Sequence, residues 1–168
     1  MYDRILVPTD GSESAEAAME HAIGLAETVG AEVAVLHVID TRRYDTSIDS
    51  AVEPLEREGE KYLDRLLRMA EGTGVPAITA DVVIGRPARA ILAYAADHDV
   101  DLVVMGTRGA GGLARRLLGS VTAYVVTHAD VPVHVVPSVD AGETDADGPD
   151  TDEADADTDG TRDGVDAR

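Results

Sequence analysis

Residues 1–39, MYDRILVPTDGSESAEAAMEHAIGLAETVGAEVAVLHVI, hold a strand, a helix and a second strand in succession. Asp3 to Val7 reads as a buried strand. Ser12, Glu13 and Ser14 then offer helix caps. Ala15, Ala18, Met19, Ala22, Ile23, Ala26 and Val29 follow at helical spacing, with Glu13, Glu16, Glu20 and Glu27 on the opposite face. Gly30 suits a helix C-cap. Glu32 to Ile39 is the second strand.

The same alternation continues. Residues 40–50 are polar and irregular. Val52, Leu55, Tyr62, Leu66 and Met69 mark one stripe of a helix spanning about 51–71, closed by Gly72 and Gly74. Residues 77–84 form a third strand, and Pro87 suits the first turn of the next helix. Asp101 to Met105 is a fourth strand. After a glycine-rich loop, a helix runs from near Gly119 to His128, and Val131 to Val136 is a fifth strand. Strands alternating with helices imply a parallel sheet covered on both faces. Unbroken apolar strands agree with burial on both sides. Right-handed crossovers make such a sheet doubly wound, and ligands bind at the carboxyl ends of its strands where the winding reverses. No internal repeat is evident.

Composition narrows the function classes. The chain has 168 residues, 44% of them apolar, with no Phe, Trp or Cys. The core is therefore built from Val, Ile, Leu, Ala and Met. Disulfides, thiolate metal sites, iron–sulfur clusters and cysteine nucleophiles are excluded. No run approaches the length of a membrane helix, and the charged N-terminus is no signal peptide, so a soluble, cytoplasmic protein without membrane contacts is expected. The formal charge is −19. Nucleic-acid binding is disfavoured, because phosphate backbones are repelled.

That charge divides the chain in two. Residues 138–168 carry a net −10 and residues 1–137 a net −9. The tail is rich in Asp, Gly, Thr and Ala, with only Val139 and Val165 as larger apolar residues, so a disordered acidic tail is expected after a folded domain at 1–137. It is either a solvated tail or an interaction tail. Thirteen of the 14 basic residues are Arg, and Lys61 is the only lysine. Acidic excess with almost no lysine points to adaptation to high salt, where screening relieves self-repulsion.

Two strand ends carry candidate chemistry. Pro8-Thr9-Asp10-Gly11-Ser12 follows the first strand, and Asp10 either serves a ribose hydroxyl or a metal, or simply caps the turn. Met105-Gly106-Thr107-Arg108-Gly109-Ala110-Gly111-Gly112 follows the fourth. Its glycines let main-chain amides approach a ligand, and Gly119-Ser120 opens a helix whose N-terminus attracts phosphate. A flexible surface loop is the plainer alternative. Charge favours the ligand: residues 102–129 contain three arginines and no acid, where the acid content of the other folded residues predicts roughly five. Arg108, Arg115 and Arg116 add positive charge, whether or not each touches the ligand. The loop lacks Gly-Lys-Ser/Thr, and no Gly-x-Gly-x-x-Gly follows the first strand, so neither a Walker loop nor a dinucleotide fingerprint is present.

Gly106-x2-Gly109-x9-Gly119-Ser120 resembles the ATP-binding pattern of the universal stress protein family. The opening Ile5 to Ser12, the His37-Val38-Ile39 strand end and the closing Val131 to Pro137 are similar to that family too. The resemblance spans about residues 2–137. It implies a Rossmann-like, five-stranded parallel α/β sheet of order 3-2-1-4-5. It also implies an ATP-binding regulatory protein of the stress response. Pro8, Thr9, Asp10 and Val38 would flank adenine and ribose, and Met105 and Gly106 would line the nucleoside. Gly109, Gly119, Ser120 and Val121 would hold phosphates through amides and the Ser120 hydroxyl. Magnesium would accompany the phosphates. A homodimer through the last strand, residues 131–137, is implied as well, and that short apolar edge invites covering.

Other candidates are weaker. His21, His37, His98, His128 and His134 show no zinc-type His-x3-His spacing. His37 and His134 fall in strands and read as satisfied core or edge residues. No Gly-x-Ser-x-Gly elbow occurs. Tyr44 is a solvated loop tyrosine or reaches the base. A slow ATPase is the alternative function, with Asp10 and Arg108 as its contributors. A nucleotide-free scaffold is a third reading, disfavoured by the retained glycines.

Overall fold

A computed structural model describes residues 1–40, 52–107 and 118–137. Its elements are β1 (Arg4–Thr9), α1 (Glu13–Val29), β2 (Glu32–Asp40), α2 (Val52–Met69), β3 (Ile78–Gly85), α3 (Pro87–Asp97), β4 (Leu102–Gly106), α4 (Ser120–His128) and β5 (Val133–Val136). The five strands form one parallel sheet of order β3-β2-β1-β4-β5, as anticipated. Gly109, Arg108, Arg115, Arg116, Tyr44 and the acidic tail lie outside the described residues.

Two apolar layers flank the sheet, because successive strand residues point to opposite faces. Ile5, Val7, Val33, Val35, Leu102 and Val104 pack with Ala18, Met19 and Ala22 of α1 and Leu63 and Leu66 of α2. Leu6, Ala34, Leu36, Val103 and Met105 pack with Ile91 and Tyr94 of α3 and Val125 of α4. Small alanines on α1 allow close approach to the sheet. Ser12 caps α1 by accepting from the Ala15 amide, and Gly30 ends it at φ 75°.

β1 runs further than its apolar stretch suggests, through Pro8 to Thr9. It pairs with β2 over its whole length, up to Thr9 opposite His37. With β4 it pairs only at Ile5–Leu102 and Leu6–Val103. Pro8 supplies a reason. The Arg4 carbonyl accepts from the Asp101 amide, so the main chain of Arg4 faces β4, and alternation turns Leu6 and Pro8 the same way. Proline has no N–H with which to continue that ladder. β4 meanwhile continues beside β5 to Gly106 opposite Val136. Pairing between β1 and β4 thus ends below their carboxyl ends, at the point where the winding reverses.

Candidate functional site

Past Leu6 and Val103, β1 and β4 no longer pair with each other, although each keeps its outer neighbour, β2 and β5. Thr9, Ser14 and Thr122 are the buried polar residues among those described, and all three serve this region. A cluster of buried hydroxyls beside an unpaired stretch of sheet is unusual in an otherwise aliphatic core, since each must find a partner.

On the β1 side the chain turns sharply. The Thr9 hydroxyl accepts from the Gly11 amide at 3.2 Å, and Asp10 Oδ1 accepts from the Ser12 amide at 3.2 Å. Asp10 therefore performs the turn-capping role, with its carboxylate at the exposed surface just before α1. Gly11 has φ 78°, and a Cβ there would overlap the Tyr62 ring, so two constraints select glycine.

On the β4 side, Met105 and Gly106 are buried. A Cβ on Gly106 would lie 2.6 Å from the Ser14 carbonyl oxygen, so the start of α1 rests directly on the end of β4. The Thr122 hydroxyl donates to the Gly106 carbonyl at 2.9 Å. The Gly119 amide donates to the Thr107 carbonyl at 2.8 Å, and the Thr107 amide donates to the Val136 carbonyl at 3.1 Å.

These bonds revise one detail. The Gly119 amide is committed to Thr107, so its N–H is not offered to a phosphate as the resemblance implied. Ser120 and Val121 occupy the first turn of α4, where amides have no acceptor within the helix. Ser120 is exposed and Val121 half-buried. Val38 and Val121 both border the core on the α3–α4 side of the sheet. Pro8, Thr9, Asp10, Met105, Gly106, Gly119, Ser120 and Val121 thus belong to strand ends and turns on one side of the sheet, with Val38 near the end of the adjacent β2.

Sequence reasoning missed Ser14, Thr107 and Thr122 as supports of the site. For Ser14 and Thr122 the available signal was a hydroxyl placed on an otherwise apolar helix face, whereas Thr107 acts through its main chain. His37 matches its expected role as a satisfied strand histidine. Its Nδ1 lies 2.9 Å from the Thr9 carbonyl, which only accepts, so Nδ1 carries the proton. Its ring stands edge-on to Tyr62 with centroids 5.3 Å apart. His37 therefore braces the Thr9 turn from β2.

Shifted ionisations occur elsewhere. At the amino ends of the strands, the Asp3 and Arg4 amides donate to Asp101 Oδ2 at 2.8 and 2.9 Å and hold its carboxyl below the usual range. Glu32, hydrogen-bonded to Arg4 at 2.9 Å, raises the guanidinium. Burial, then the hydrogen bond to Asp81, pushes the Tyr94 hydroxyl up to about 12. These groups fasten the fold together. Among the described residues, no group of three or more His, Asp or Glu could hold a metal by itself.

The Usp family model, described as the universal stress protein family, matches residues 1–137. The chain belongs to the universal stress protein family. It is similar to universal stress protein MJ0531 of Methanocaldococcus jannaschii, 39% identical over 141 residues, covering 81% of this chain and 82% of that protein. The solved structure of universal stress protein UspA from Lactobacillus plantarum aligns with a TM-score of 0.73 at 31% identity, covering 80% and 97% of the two chains. A universal stress protein solved in complex with cAMP aligns with a TM-score of 0.61 at 28% identity, covering 82% and 98%. No helix among the described residues is long and apolar enough to cross a membrane.

Proposed function

We propose that this universal stress protein binds ATP between the carboxyl ends of β1 and β4 and acts as a nucleotide-responsive regulator of the stress response. One observation carries the reading. The β1–β4 ladder stops at Leu6 and Val103, and Thr9, Ser14 and Thr122 brace the strand ends beyond it. The ladder thus stops at the switch point of the doubly wound sheet, where ligands of such folds bind. The absence of acids from residues 102–129 supports an anionic ligand there. A relative solved with cAMP supports a nucleotide.

In this reading Pro8, Thr9, Asp10 and Val38 flank base and ribose, while Met105 and Gly106 line the nucleoside. The amides of Ser120 and Val121, the Ser120 hydroxyl and the main chain at Gly109 receive phosphates, with the start of α4 favouring negative charge. Gly119 contributes by anchoring α4 to Thr107. Magnesium, when bound, neutralises phosphate charge. It usually keeps several waters and takes few protein ligands, which fits a site with Asp10 as the nearby carboxylate. A homodimer forms through residues 131–137, since β5 is the open edge of the sheet. The acidic, lysine-poor surface suits the protein to high salt.

Mass spectrometry of nucleotide retained by the purified protein, followed by calorimetry with ATP, ADP and cAMP, tests this reading. Retained adenine nucleotide and saturable ATP binding are expected. A protein that purifies empty and gives no heat with any of the three overturns it.

A further inference from the structure

His21 of α1 and His134 of β5 lie against each other on the α1 face of the sheet. Their ring centroids are 5.7 Å apart and their planes tilted by 54°. Tyr2 stands edge-on to His134 with centroids 6.5 Å apart. His21 is exposed and His134 half-buried. With Zn–N bonds of 2.0–2.1 Å, two imidazoles sharing one tetrahedral zinc hold their ring centres roughly 5–6 Å apart. The pair already has that spacing. One chain, however, supplies only two nitrogens, and no third His, Asp or Glu joins them among the described residues.

The edge of the sheet says where the missing ligands come from. The Val103 amide donates to the Pro132 carbonyl, and the Thr107 amide to the Val136 carbonyl. The main chains of Pro132, His134 and Val136 therefore face β4, and those of Val133 and Val135 face outward. An antiparallel copy of β5 can hydrogen-bond only through these outward groups. A two-fold axis perpendicular to the sheet keeps each face on its own side, so both His134 rings fall on the α1 face. In the register centred on His134, the two histidines form a non-hydrogen-bonded pair with Cα atoms about 4.5 Å apart. In registers centred on Val133 or Val135 they become diagonal neighbours about 7–8 Å apart. Every such pairing sets two His21–His134 pairs side by side.

We propose that His21 and His134 from two copies of this chain together ligate one divalent transition-metal ion of the zinc class on the axis of the β5–β5 dimer. The proposal rests on the dimer reading above. Neutral imidazole nitrogen is a preferred donor for this class of ion. Two chains of charge −19 repel one another, and a cation on their shared axis offsets part of that repulsion.

The test uses the untagged full chain. Sedimentation with a chelator present reads the dimer, and calorimetry with zinc alone reads the site. About 1 M potassium chloride, where the screening length is about 3 Å, suppresses loose binding to surface carboxylates. One zinc per two chains and a tetrahedral spectrum with cobalt are expected. Both should be lost in His134→Gln and in His21→Gln, while circular dichroism shows each variant folded. A dimer that takes up no stoichiometric zinc overturns the metal site and leaves the dimer standing. A chain that stays monomeric with and without zinc overturns both. One zinc per chain, or zinc binding unaffected by either substitution, overturns the bridging site.

Discussion

The hydroxyl of Thr122 donates to the carbonyl of Gly106 across 2.9 Å of buried space. Val103 and Thr107 turn their amides to β5, so the Gly106 main chain faces β1, beyond the last β1–β4 pair at Leu6–Val103. Thr122 gives its carbonyl a donor there and, in doing so, fixes the start of α4 beside the end of β4. Thr122→Val keeps the shape and leaves that carbonyl unpaired. It is expected to cost about 1–3 kcal/mol in urea denaturation and to weaken ATP binding by calorimetry. Thr122→Ser should retain most of both.

Gly106→Ala should destabilise the fold by about 1–3 kcal/mol through overpacking. The added Cβ would meet the Ser14 carbonyl oxygen at 2.6 Å and its carbonyl carbon at 2.8 Å. Because these are main-chain atoms, Ser14→Ala should not rescue the variant. A melting temperature restored by Ser14→Ala would show that the Ser14 hydroxyl alone sets the limit.

Gly109→Val is expected to abolish ATP binding with little loss of stability, because its side chain would occupy space meant for phosphate. Unchanged affinity by calorimetry would reassign the phosphates to the start of α4 alone.

Asp101 gives a signed dependence on pH. Its carboxyl is held below the usual range by the Asp3 and Arg4 amides, so its contribution is complete above the unfolded value of about 3.9. It is lost as pH falls through the lower folded value. Asp101→Asn should cost about 1 kcal/mol at neutral pH, and the gap to the parent protein should close in acid. Denaturation midpoints compared across pH at fixed salt check this.

Deleting residues 141–168 should leave melting temperature and ATP affinity unchanged at high salt. A large fall in melting temperature would assign the acidic segment a structural role.

The alternation of strands and helices was legible because the physics behind it is local, whereas the strand order came from the family resemblance. Ile5, Leu6 and Val7 have no polar neighbour on either face, and only a sheet covered on both sides accommodates that. Ser12 and Gly30 bound α1 where their chemistry says they should. The end of β1 was less legible. The sequence reads as a strand ending at Val7, yet Pro8 interrupts the ladder on one side only, and pairing with β2 carries the strand on to Thr9. Ser14 offers only a helix cap in the sequence, and its contact with Gly106, like that of Thr122, depends on how the helices meet β4. The commitment of the Gly119 amide to Thr107 depends on how α4 docks, which no spacing of glycines encodes.

That Gly119–Thr107 bond also fastens together the two ends of the segment at 108–118. Because the bond runs from main chain to main chain, it holds whichever side chains stand at these two positions. Under the nucleotide reading, side chains between the stems can then be exchanged while the sheet keeps its register. A designer seeking altered ligand preference would begin mutagenesis there.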